Sequence, residues 1–186
     1  RRLLIDRLAQ YGEGVAVLFS GLMFGLFHGN LNQFVYAFVL GLCFGFIYVK
    51  TGNIRYTIGL HMLVNFLGSV LGVAILKWLG DDFLSVASDP AGMMSYMTGN
   101  FGKLIVYFIY IFLLLGVAIA GIILFIVNLK KIRFQPGMNT IPKGKRFSTT
   151  VLNVGMALYM IVWIVIIIVQ LFQSVSYTHL TLPTKL

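Results

Sequence analysis

The chain has 186 residues, 59% of them hydrophobic and only 10% charged, with 14 Lys and Arg against 5 Asp and Glu for a formal charge of +9. Soluble domains carry roughly 25% charged residues, so this composition excludes a water-soluble globule and indicates an all-α, polytopic transmembrane helix bundle. The basic residues sit at the ends of apolar runs, as juxtamembrane anchors do, which argues against nucleic acid as a partner and for contact with membrane lipids.

Residues 1–10 predict an amphipathic helix with Leu3, Leu4 and Leu8 on one side and Arg or Asp on the other, and Tyr11-Gly12-Glu13-Gly14 predicts a turn. Apolar runs follow at about 15–28 and 34–49, separated by the polar stretch Gly29-Asn30-Leu31-Asn32-Gln33. Both are shorter than the ~20 residues a helix needs to cross the hydrocarbon core. A third run, about 56–79, follows the loop Lys50–Arg55 and is long enough to span. Residues 80–102 carry Asp81, Asp82, Asp89, Pro90 and several Gly, and predict a loop. Residues 104–128 form a fourth span, 129–149 a basic loop around Pro136-Gly137 and Pro142, and 150–172 a fifth run. The expectation is about five apolar helices plus an N-terminal amphipathic helix, in one domain over residues 1–173. No internal repeat is visible. Cys43, the single cysteine, lies mid-run and reads as a small packing residue.

The positive-inside rule places the Arg-rich start, the Lys50–Arg55 loop and the 129–149 loop on the cytoplasmic side, and the acidic 80–102 loop outside. The basic loop reads as a topology signal, with anionic lipid binding as the alternative. If the run 15–28 crossed fully, His28 and His61 would lie near opposite faces. If it enters part-way, Gly29–Gln33 sits at membrane depth, and both histidines face one cavity open to the cytoplasm. The short runs favour this second geometry, since irregular backbone is tolerated at depth only where protein or water covers it.

His28 and His61 are the chemically pointed residues, because an ionisable group inside an apolar segment is a functional-site hypothesis by default. Helical spacing puts Phe24 and His28 on one face, and likewise His61 and Asn65. A neutral imidazole can ligate a metal or act as a base, and an Asn amide can donate to an oxyanion. Taken alone, His28 reads first as a core histidine bonded to a backbone carbonyl, and Asn65 as interhelical glue. Gly21, Gly25, Gly41 and Gly45 fall at small-xxx-small spacing and predict close helix approach.

In this order and spacing the residues resemble the CAAX-protease and bacteriocin-processing (CPBP, or Abi) family of intramembrane proteases, in its bacterial branch. That family carries Glu-Glu-x-x-x-Arg, then Phe-x-x-x-His, then His-x-x-x-Asn, on a core of four transmembrane helices. Phe24 and His28 match the second motif, and His61 and Asn65 the third. Arg1 would be the terminal Arg of the first, and the resemblance covers about residues 1–70. It implies a multi-pass protein of the bacterial cell membrane that hydrolyses a peptide or lipid-linked peptide near the cytoplasmic face. It implies catalytic roles for His28 (water activation), His61 and Asn65 (polarising the scissile carbonyl), with Arg1 and Phe24 in support. A divalent metal such as zinc on His28 and His61 is a further expectation. The paired glutamates of the first motif should precede Arg1 and are absent. Glu13, the only Glu, sits in a Gly-flanked turn and does not read as a substitute, so the chain as given is expected to be inactive. The alternative function is a non-catalytic membrane scaffold or bacteriocin-immunity protein.

The opening lacks Met and any cleavable signal peptide, and reads as the interior of a longer protein. At the far end, Val175-Ser-Tyr-Thr-His-Leu-Thr-Leu-Pro-Thr184 resembles the translation of a transposase adapter from sequencing libraries. Residues 174–186 are therefore expected to be an artefact, and His179 no ligand.

Overall fold

In the computed structural model the described residues are 1–139, 141–145, 148–149 and 152–181, the side chains of 143 and 174–181 excepted. They form helices, with no strand among the described residues. Four helical segments are long and apolar enough to cross a membrane: Leu31–Thr51, Ile54–Leu79, Pro90–Lys131 and Val154–Gln173. With the shorter apolar helix Glu13–Leu26 they account for the five expected runs, and the protein is an all-α polytopic membrane bundle. The chain divides into two compact units, Arg1–Ile58 with Phe134–Leu186, and Gly59–Arg133.

The first unit is built on an antiparallel hairpin of α2 (Glu13–Leu26) and α3 (Leu31–Thr51). Its seam is glycine: a Cβ added at Gly41 would stand 2.8 Å from the Gly21 Cα, and one at Gly45 would stand 3.4 Å from the Val17 Cα. The small-residue spacing thus serves close approach, which matters in lipid because packing rather than hydrophobicity drives helix association there. At the tip, Gly29 takes the left-handed φ of +62°, open to glycine at no steric cost. The Asn30 Oδ1 then accepts from the Asn32 backbone N–H at 2.8 Å and caps α3. Because Leu31, Asn32 and Gln33 join the helix behind that cap, α3 has 21 residues and reaches spanning length, where the sequence predicts a short run over 34–49. Only α2, with 14 residues, stays short.

The first helix, α1 (Arg2–Leu8), docks on this hairpin through Ile5, which is 1% exposed and packs with Ala16 and Tyr48. The Tyr48 hydroxyl donates to Asp6 at 2.7 Å. Leu3, expected on the buried side, is 76% exposed. The buried register runs through Arg1, Ile5 and Leu8, so the apolar stripe is offset from the Leu3-Leu4-Leu8 face predicted by side-chain type alone. Residues 134–139 return to the same end of the hairpin. The Glu13 N–H donates to the Gln135 carbonyl at 3.1 Å and the Asn139 N–H to the Gln10 carbonyl at 2.9 Å. The last helix, α8 (Val154–Thr181), lies on α2. Thr150, the expected start of that run, and Arg146 of the basic loop lie outside the described residues, as do residues 182–186 of the expected artefact.

The second unit holds the rest of α4 (Ile54–Asn65), a π-helical turn Phe66–Leu71, α5 (Gly72–Leu79), α6 (Asp81–Val86) and α7 (Pro90–Asn128). Most of the predicted loop 80–102 is therefore helical. Asp81 and Asp82 occupy the first turn of α6, where the helix dipole favours acidic groups. The Asp89 carboxylate accepts from the Ala91 and Gly92 backbone N–H groups at 3.1 and 3.0 Å. With Pro90 as the first helical residue this is a complete N-terminal start signal. The helix is interrupted at Asn100 (φ −127°, ψ 24°) and then runs on through the apolar span. Leu79, Phe83 and Leu104 form the core of this unit, and Tyr96 donates to the Leu79 carbonyl at 2.6 Å.

Candidate active site

His28 stands at the C-terminal end of α2, in the turn that leads to α3. Its Nδ1 lies 2.7 Å from the Phe24 carbonyl oxygen, one helical turn back. A carbonyl can only accept, so Nδ1 carries a proton, and in the neutral imidazole the free lone pair is then on Nε2. The bland reading of His28, a histidine bonded to a backbone carbonyl, is thus true of one nitrogen. That bond is also what fixes the tautomer a base or a ligand needs at the other. The imidazole is half-buried and held edge-on by the Phe24 ring, with centroids 4.8 Å apart, and Tyr36 of α3 flanks it at 6.3 Å.

Phe24 connects His28 to Arg1. The Arg1 guanidinium carbon lies 4.3 Å from the Phe24 centroid and 5.3 Å from that of Phe44, and the two rings meet at 6.1 Å. Burial pulls the Arg1 guanidinium down to about 10, and its Nη2 is buried with no hydrogen-bond partner among the described residues. The rings offset part of that cost by cation–π attraction, of order 0.5–2 kcal/mol per contact, but a ring face accepts no conventional hydrogen bond. Arg1, Phe24 and His28 are therefore brought together in one unit.

His61 and Asn65 lie on α4 within the second unit. His61 is half-buried and Asn65 exposed. The π-helical turn begins at the next residue, Phe66, and such turns are frequent at functional sites. The widened turn is secured by Tyr110 of α7, whose hydroxyl donates to the Leu67 carbonyl at 2.7 Å.

Glu13 is fully engaged elsewhere. Its Oε2 accepts from Lys50 Nζ and, at 2.9 Å, from the Gln135 backbone N–H, which makes it a clamp for the returning segment. Among the described residues no group of three or more His, Cys, Asp and Glu side chains gathers to hold a metal ion.

Sequence reasoning picked out Arg1, Phe24 and His28 but not Tyr36 and Phe44, whose rings meet those of His28 and Phe24, nor Tyr159 and Trp163, which contact the neighbouring Met23, Phe27 and Gly29. Aromatic residues are common in apolar helices, and a lone sequence does not say which of them face a neighbouring helix.

Residues 1–67 match the family model described as Rce1-like, type II CAAX prenyl endopeptidase, consistent with the CPBP family named on the motifs. No curated protein and no solved structure matches the chain.

Proposed function

We propose that the protein works as an intramembrane endopeptidase of the CAAX type in a bacterial cell membrane, cleaving a peptide or lipid-linked peptide near the cytoplasmic face. The observation that carries this reading is the family match over residues 1–67, a segment that contains Arg1, Phe24, His28, His61 and Asn65. The match itself supports a membrane protease in general. The residue roles are the ones the motif resemblance implies.

In the proposed reaction the His28 Nε2, together with a carboxylate, takes a proton from water. The water oxygen adds to the scissile carbonyl carbon. His61 and the Asn65 amide donate to the carbonyl oxygen as it becomes an oxyanion. The tetrahedral intermediate collapses with cleavage of the C–N bond, and the proton passes to the departing amine. Arg1 would hold the carboxylate. Its buried, unpartnered Nη2 suits that task, because a charged donor left unsatisfied costs several kcal/mol. Glu13, bound to Lys50 and Gln135, does not supply it.

Two arms of one experiment test the reading. The 186-residue chain, reconstituted in lipid vesicles, is expected to cleave no reporter peptide. A chain extended before Arg1 by a segment bearing two glutamates is expected to cleave, and His28→Ala and His61→Ala are each expected to lower its rate at least about 100-fold. Turnover within twofold of the parent in either mutant would overturn the assignment in favour of a binding protein, either a membrane scaffold or a bacteriocin-immunity protein.

A further inference from the structure

The contacts of α8 on the hairpin converge on the segment that carries His28. The Tyr159 hydroxyl donates to the Met23 carbonyl at 2.7 Å. The Trp163 ring lies 4.9 Å from that of Phe27. A Cβ added at Gly29 would stand 3.1 Å from Ile166 Cγ2 and 3.4 Å from the Trp163 ring. Residues 159, 163 and 166 follow the i, i+4, i+7 spacing of a single helix face. The flanking Ile161, Val162, Ile164 and Val165 are all exposed, as befits a lipid-facing surface. The three contacts bracket residues 23–29, and His28 lies inside the bracket with its own Nδ1 anchored to Phe24.

We infer that Tyr159 and Trp163 are positioning residues for His28, so that a helix outside the family-matched segment 1–67 holds the imidazole in its working orientation. The functional weight of that orientation rests on the endopeptidase reading above; the mechanical claim does not. Tyr159 supplies a hydrogen bond to a carbonyl in the last turn of α2. Trp163 covers the left-handed glycine that follows His28. Loss of either frees the turn, and the Nδ1–carbonyl bond that fixes the tautomer then opens.

The test measures carbethoxylation of His28 by diethyl pyrocarbonate in the full chain in detergent micelles, read by peptide mass spectrometry with His61 as internal reference. Trp163→Ala is expected to accelerate His28 labelling about 3- to 10-fold, the scale of one lost aromatic contact, with His61 unchanged. Trp163→Phe, which keeps a ring, is expected to remain within about twofold of the parent. Tyr159→Phe, isosteric but without the donor, is expected to accelerate His28 alone. An unchanged His28 rate in Trp163→Ala overturns the inference. Acceleration of both histidines in that variant means global loosening, and Tyr159→Phe then decides: acceleration confined to His28 supports the role, and no change overturns it. None of these readouts requires proteolysis, so a failed cleavage assay leaves this result standing on its own.

Discussion

At the scale of single residues, the bond between His28 Nδ1 and the Phe24 carbonyl separates two properties that alanine removes together. An asparagine at position 28 can place its amide nitrogen near Nδ1 and keep the tie to Phe24, yet it has nothing in the place of Nε2. In the chain extended by the two-glutamate segment, His28→Asn is therefore expected to keep the helical content and thermal midpoint of its parent while losing peptide cleavage to background. Retained cleavage would show that Nε2 is not the base. The Glu13 carboxylate offers a second local readout. Burial raises its pKa, but the hydrogen bond from Lys50, the Gln135 N–H and the Lys50 charge outweigh that, and the net shift is downward. A depressed carboxylate contributes stability above its unfolded value, and that contribution is lost as pH falls through the lower folded value. The Gln135 amide resonance should thus titrate with a midpoint below the ordinary carboxylate range, and Glu13→Gln should abolish the titration. A midpoint at or above the ordinary value would contradict the clamp. The pattern Phe24/His28 was legible from spacing because one helical turn sets both the face and the hydrogen bond. The partner of Glu13 was not, since Gln135 lies 122 positions away and no periodicity links them.

At the scale of elements, the α2–α3 hairpin depends on the absence of side chains at its seam. A methyl group at Gly41 would meet the Gly21 Cα at 2.8 Å and the Gly21 carbonyl oxygen at 3.1 Å. Backbone atoms cannot rotate away as a flexible side chain would. Gly41→Ala is expected to destabilise the protein by about 1–3 kcal/mol through overpacking, seen as a lower midpoint in detergent-induced unfolding. Gly116→Ala on α7, where no atom beyond the helix's own adjacent backbone lies within 4 Å of the added carbon among the described residues, is expected to be neutral or stabilising by up to about 1 kcal/mol. Equal effects at the two sites would refute the seam. This seam was visible in the four-residue glycine spacing. The helices at 81–86 and 90–102 were not, although Asp89-Pro90 is a helix start. Glycines and acidic residues suggest a loop by composition, whereas the capping carboxylate and the proline at the first position decide the outcome locally. The N-terminal helix was legible as an element, and only its face shifted: Ile5 is buried, Leu4 and Leu8 are half-buried and Leu3 is exposed.

At the scale of the whole molecule, charge placement and packing inside the first unit group the same segments at one end. The 129–149 segment was assigned to the side of the Arg-rich start and of Lys50 by counting basic residues. The structure independently sets Gln135 and Asn139 against Glu13 and Gln10, with Lys50 on Glu13. Two criteria with different physical origins, membrane-surface electrostatics and backbone hydrogen bonding, thus put the start of α2, the end of α3 and the segment before α8 at one end. The number of apolar runs was legible because hydrocarbon thickness fixes helix length, and their lateral packing was not, because lipid-facing and protein-facing apolar residues look alike in sequence. The side assignment can be checked with single cysteines in a Cys43→Ser background. Met138, 94% exposed, lies in the basic segment, and Ser88 lies beside Asp89 in the acidic connection. In sealed cells an impermeant maleimide is expected to label Ser88→Cys at once and Met138→Cys only after the membrane is opened. Labelling of Met138→Cys in sealed cells would invert the topology. That outcome would place the basic segment outside and contradict the positive-inside assignment.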